Sequence, residues 1–86
     1  MIEVKYTPSF VRQAKSLEEA TFKELEKKIA SFKNPKNHTS LRVHKLKGRL
    51  KDFYAFSVTH RTRVIFEYVT ENEAWFHHVG GHEVYE

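Results

Sequence analysis

His44, Lys47, Arg63, His82 and Tyr85 are the side-chain types that metal-free phosphate chemistry uses. Cleaving RNA through its own 2′-hydroxyl needs a base to take that proton. It also needs a cation to hold the charge that builds on phosphorus, and an acid to protonate the departing 5′ oxygen. His44, Lys45 and Lys47 lie on a basic segment, Arg63 opens a run that alternates like a central strand, and His82 and Tyr85 sit in the tail. If the last strand runs beside that of Arg63, the tail folds back toward the basic segment and the three roles meet at one sheet edge. Arg63 shares its side of the strand with Ile65 and Val69, which predicts a half-buried, stiffly held phosphate clamp. Plainer readings stand beside these: His44 as an exposed loop residue, the lysines as a solvated face, Arg63 as the ion-pair partner of Glu67, and Tyr85 as a packed or frayed terminus.

Charge singles out the same region. Residues 33–63 carry nine Lys or Arg (33, 36, 42, 45, 47, 49, 51, 61 and 63) against one acid, Asp52. The rest of the chain is net acidic, so the middle third supplies more than the whole net charge of +4. A polyanion such as RNA or DNA is the partner this distribution suggests; a basic face that merely aids solubility is the rival.

The remaining composition limits the alternatives. Eighty-six residues predict one domain, 1–86, with a small core supplied largely by seven Phe, four Tyr and one Trp. The absence of Cys excludes disulfides and thiolate metal sites. It fits a cytoplasmic location. No apolar run approaches a membrane span, and no phosphate-loop, dinucleotide or His-Glu-x-x-His motif is present, so neither a membrane role nor a small-molecule cofactor is expected. Six His residues invite a metal reading, but their spacing does not suit one. His77 and His78 are strand neighbours expected on opposite faces, and no metal site is predicted.

The elements that must position these groups follow from periodicity. Residues 2–6 alternate as a strand with Ile2, Val4 and Tyr6 on one face. Thr7-Pro8 starts a helix with Phe10, Ala14 and Leu17 on one side. Ser16 and Glu19 have capping-box spacing and predict the start of a second helix near Ser16. Its buried stripe is Phe22, Leu25, Ile29 and Phe32, with Glu19/Lys23 and Glu24/Lys28 pairs on the wet side. Asn34-Pro35 stops it. Residues 41–46 read equally as a short strand or as irregular chain, and Lys47-Gly48 as a turn. Residues 53–58, 61–69 and 74–79 read as strands. Tyr54, Phe56 and Val58 share a face, as do Val64, Phe66 and Tyr68. The fold class is α+β: an N-terminal strand, a two-helix hairpin, then an antiparallel β-meander with the helices on one face.

The motifs Leu46-Lys47-Gly48, Phe53-Tyr54-Ala55-Phe56-Ser57-Val58, Arg63-Val64-Ile65-Phe66-Glu67-Tyr68 and Gly80-Gly81-His82-Glu83-Val84-Tyr85 occur in this order. Together they resemble the RelE/ParE superfamily of bacterial toxin–antitoxin toxins. With the helical hairpin, the resemblance spans nearly the whole chain. It implies a RelE-like, microbial-ribonuclease-like sheet and fixes the strand order that periodicity cannot. The RelE and YoeB branches imply ribosome-dependent cleavage of mRNA in the A site, without metal or cofactor. The family's central-strand Arg falls on Arg63, the YoeB- and YafQ-like tail His on His82, and the RelE-like tail Tyr on Tyr85. The YoeB-like general base is a Glu whose slot holds His44 here, and Gly80-Gly81 stands where RelE-like members carry a tail Arg. This reading makes His44 or Lys47 the base, Arg63 the clamp, and His82 with Tyr85 the acid or orienting groups. Arg42, Lys45, Arg49, Lys51 and Arg61 would hold the RNA backbone. The alternatives are a ParE-like protein that inhibits DNA gyrase by binding, or an inactive family member. Either toxin class implies a cognate acidic antitoxin that covers the basic face.

Overall fold

Thr7 and Pro8 open the first helix as their chemistry predicts. The Thr7 hydroxyl oxygen accepts from the Phe10 N–H at 3.1 Å, and Pro8 takes the first helical position, where no N–H is needed. The same hydroxyl donates to the His77 carbonyl at 3.1 Å and so ties the helix to the last strand. The structure is a computed structural model that describes residues 1–81 and 84. Its elements are β1 (Glu3–Tyr6), α1 (Pro8–Lys15), α2 (Glu19–Phe32), β2 (His44–Lys45), β3 (Tyr54–Ser57), β4 (Arg63–Thr70) and β5 (Glu73–Gly80). Short 3₁₀ turns occupy Pro35–Asn37 and Gly48–Leu50. The α+β class and the order of elements match expectation.

The five strands lie in the order β1-β5-β4-β3-β2. β2 to β5 pair antiparallel, as a meander should, but β1 pairs parallel to β5 at the far edge. Alternation marks β1 as a strand but says nothing about its neighbour. Its place is set by hydrogen bonds at both ends, from Ile2 N–H to the Lys33 carbonyl at 2.9 Å and from Thr7 N–H to the Phe76 carbonyl at 3.1 Å.

The capping box does not form. α2 starts at Glu19 with Glu18 in the cap position and no side-chain cap. Ser16 instead closes α1: its N–H reaches the Gln13 carbonyl and its hydroxyl donates to the Arg12 carbonyl at 3.2 Å. A serine three residues before another helix can serve either end, and here the finished turn of α1 takes it. The two predicted ion pairs, Glu19–Lys23 and Glu24–Lys28, are both present at 3.5 Å.

The helices cover one face of the sheet. Phe56, Val58, Val64, Phe66, Ala74, Phe76 and Val79 point to them and meet Phe10, Ala14, Leu25 and Phe32. Phe32 is fully buried, with its ring 5.2 Å from Phe56, 4.9 Å from Phe66 and 5.2 Å from Phe76. β5 carries a bulge opposite β4, where Ile65 pairs with His78 and Phe66 with Phe76. The extra residue, His77, breaks strict alternation and lets Phe76 and Val79 both enter the core. Gln13 from α1 repairs the bulge: its Oε1 accepts from Val79 N–H at 3.0 Å and its Nε2 lies 3.4 Å from His78 Nδ1.

Phe32→Ala removes the ring on which both layers pack. It should cost about 3–5 kcal/mol in denaturant unfolding followed by Trp75 fluorescence. Val69→Ala, at a side chain 55 % exposed, should stay within about 0.5 kcal/mol.

Candidate active site on the helix-free sheet face

Residues directly opposite one another on paired strands share a face. His44 pairs with Ala55, and Ala55 with Ile65. Ser57 pairs with Arg63, and Arg63 with Gly80. Ala55 and Ile65 form a second, small apolar cluster with Leu46, Phe53 and Val84, separate from the core under the helices. His44 and Arg63 therefore belong to the face that the helices leave uncovered. They are two strands and one side-chain step apart, roughly 12 Å between Cα atoms on ideal strand spacings. That is too far for direct contact and suited to gripping one ligand from two sides. Arg63 is half-buried, as its side of the strand predicts. Its suggested partner Glu67 is held by His77, whose Nε2–H donates to Glu67 Oε1 at 2.8 Å.

His44 is exposed, and its Nδ1 lies 2.8 Å from the Arg42 carbonyl oxygen. Lys45 pairs with Tyr54, which packs on the main core, so it belongs to the opposite side of the sheet from His44. Lys47, Arg49 and Lys51 are exposed along the 46–53 loop, where Gly48 takes a left-handed φ of 69° at the turn. Arg42 is exposed just before β2, and Arg61 is exposed in the β3–β4 turn, its N–H bonded to the Thr59 hydroxyl at 3.1 Å. The structure thus brings His44 and Arg63 to one face, leaves Arg42, Lys47, Arg49, Lys51 and Arg61 exposed in the flanking loops, and sets Lys45 on the other side. His82 and Tyr85 lie outside the described residues. Val84, from the same tail, is buried against Ala55 and Ile65, and its N–H bonds to the Gly81 carbonyl at 3.2 Å.

Other groups of note escaped the sequence reading. The Phe53 ring stands edge-on to His77 at 5.2 Å, and Trp75, opposite Glu67, donates its indole N–H to Glu73 Oε2 at 3.0 Å. They extend the uncovered face away from Arg63. Alternation already put Phe53 and Glu67 there; the bulge at His77 is invisible to it. His38 was missed as well. Its ring stacks on Phe32 at 4.5 Å, and its Nε2–H donates to the Phe32 carbonyl at 2.8 Å. No group of three or more His, Cys, Asp or Glu side chains is placed to hold a metal among the described residues. No described helix is long and apolar enough to cross a membrane.

The same architecture recurs in solved structures. YafQ from E. coli strain BL21(DE3) superimposes with a TM-score of 0.70 at 14% identity, over 99% of this chain and 98% of that one. YoeB in the YoeB–YefM complex from Staphylococcus aureus gives 0.74 at 15% identity, over 95% and 98%. The E. coli DinJ–YafQ toxin–antitoxin complex gives 0.75 at 16% identity, over 96% and 94%. The fold is that of the RelE/YoeB-like toxins. No protein-family model matches the chain, and no curated protein matches it in sequence. The toxin-like fold is thus shared along nearly the full length of both chains while most side chains differ.

His78 sits where the bulge meets α1, and burial, followed by the nearby His77, holds its pKa below the ordinary histidine value. The unfolded chain binds this proton more readily than the folded one. Stability from neutral His78 is therefore present above about pH 6.5 and lost as pH falls toward and through the lower folded value. His78→Gln, which cannot charge, should flatten that acid-side decline in thermal unfolding run across a pH series.

Proposed function

We propose that this protein is the toxin of a type II toxin–antitoxin module and cleaves mRNA in the ribosomal A site by 2′-hydroxyl attack. The observation that carries the reading is the placement of His44 and Arg63 on one uncovered face, with only the Ala55–Ile65 row between them, inside the basic third of the chain. His44 Nε2 takes the proton from the 2′-hydroxyl. The 2′ oxygen attacks phosphorus, and Arg63 holds the non-bridging oxygens as their charge grows. The bond to the 5′ oxygen breaks, leaving a cyclic phosphate and a 5′-hydroxyl whose proton comes from His82 or Tyr85. Lys47 is the second choice for the base. Side chains fill every role, so the reaction needs no metal or cofactor. Arg42, Arg49, Lys51 and Arg61 supply the electrostatic attraction that gathers the RNA backbone, while Lys45 faces the other side of the sheet and drops out of that set.

The expected protein partner is an acidic antitoxin that masks this face. The structurally similar YoeB occurs in a complex with YefM, and YafQ in a toxin–antitoxin complex with DinJ. A ribosomal substrate places the protein in the cytoplasm.

Primer extension on a reporter mRNA with purified 70S ribosomes tests the reading. Wild type should cut inside codons only when ribosomes are present. His44→Ala should slow cutting by about 10²–10⁴-fold, the usual cost of losing a general base, and Arg63→Ala and His82→Ala should also be slow. A folded, antitoxin-free wild type that leaves mRNA intact would sink the nuclease, and inhibition of gyrase supercoiling by the same sample would establish the ParE-like alternative.

A further inference from the structure

The turn that leads into β2 is closed as a Schellman motif. Val43 N–H reaches back to the His38 carbonyl at 3.0 Å, and Arg42 N–H to the Thr39 carbonyl at 3.1 Å. This pair of bonds ends a helical turn around one left-handed residue, a slot that glycine usually fills. Here the slot holds Arg42, with φ 61°, the one non-glycine residue of positive φ among those described. The turn is anchored on both sides. His38 is stacked and hydrogen-bonded on Phe32, and the Leu41 carbonyl accepts from Ser57 N–H at 3.1 Å.

The left-handed backbone sets where the Arg42 carbonyl goes, and it lies 2.8 Å from His44 Nδ1. A carbonyl oxygen can only accept, so Nδ1 must carry the proton. In the neutral ring the lone pair then sits on Nε2. We infer that Arg42 acts through its backbone as a positioning residue, its left-handed carbonyl holding neutral His44 as the Nδ1–H tautomer with Nε2 as the nitrogen that accepts a proton. The catalytic meaning rests on the proposed role of His44 as base; the tautomer does not. An unattached histidine in water prefers the opposite tautomer, in which Nε2 carries the proton. A hydrogen bond of ordinary strength biases such an equilibrium about two- to tenfold, and the upper part of that range makes the minor form the main one. It also fixes the rotation of the ring, which a base on an exposed edge strand otherwise lacks.

Long-range ¹H–¹⁵N correlation spectra of the free protein, taken at alkaline pH, report the tautomer directly. Wild type should show His44 mainly as Nδ1–H. Arg42→Gly keeps the left-handed slot and should keep that signature. Arg42→Val puts a β-branched residue at positive φ, displaces the carbonyl and should move His44 toward Nε2–H. Nε2–H as the main form in wild type overturns the inference, as does a folded Arg42→Val that retains the wild-type pattern. If Arg42→Val does not fold, the wild-type and Arg42→Gly spectra decide: Nδ1–H in both supports the inference, and Nε2–H in either overturns it. Because no ribosome is present, the two proposals fail separately. Nδ1–H in a protein that cuts no mRNA keeps the positioning and removes the base; active cutting with Nε2–H does the reverse.

Discussion

Phe32 is where the two layers and the approach to the site are joined. Its ring is fully buried against three phenylalanines of the sheet, each from a different strand, and against the His38 imidazole on its fourth side. Burying a side chain of this size contributes about 1.5–3 kcal/mol by transfer alone, and each well-placed ring pair adds about 0.5–1.5. In a small domain those amounts are a large part of the net stability. The Phe32 carbonyl is used too, since it accepts from His38 Nε2–H and so holds the turn that follows α2. Tyr68 completes the arrangement from β4, its hydroxyl 3.5 Å from His38 Nδ1. One residue at the end of a helix thus fixes the helix on the sheet and the loop on the helix.

Covering one face of the sheet determines what the other can be. Helices α1 and α2 take the aromatic face, and the uncovered face retains only a small apolar patch at Ala55 and Ile65, closed by Val84. Around that patch the polar groups are graded. Arg63 lies at one end, His44 at the side in the Ala55–Ile65 row, and the Glu67–His77 pair and the Trp75–Glu73 bond toward the other end. The bulge in β5 lets this strand serve both faces, with Phe76 and Val79 in the core and His77 joined to Glu67.

Most of the fold was legible because its signals are local. Thr7-Pro8, the stripe from Phe22 to Phe32, Asn34-Pro35 and the alternation of β3 and β4 each depend on one segment and its own period. What failed needed two segments. Ser16 could cap either helix, and the choice turned on which turn was already complete. The neighbour of β1 is set by hydrogen bonds from Ile2 and Thr7 to remote carbonyls, which no spacing encodes. For the site, the shared face of His44 and Arg63 follows from alternation plus register, but residues 41–46 gave no clear period, so the opposite placement of Lys45 was not visible. His38 looked like one more loop histidine. Its importance lies in a stacking partner and a carbonyl at Phe32, six residues back across a proline.

The strand that carries His44 has the least to hold it. β2 is two residues long, lies at the sheet edge and is exposed along its length. Short edge strands bearing lysine resist pairing with other chains, which protects the sheet but leaves the strand with few bonds of its own. Segments with few buried contacts open most readily, yet a catalytic nitrogen must be held to within about half an ångström of its working position. β2 cannot meet that demand from its pairing with β3 alone. The missing rigidity enters from upstream, where the left-handed turn at Arg42 is tied to His38 and His38 to Phe32. Electrostatic attraction of RNA tolerates mobile lysines, since it acts over several ångströms and averages over their motion. Proton transfer does not, and in the proposed reading the turn at Arg42 connects the His44 imidazole through His38 to the centre of the core.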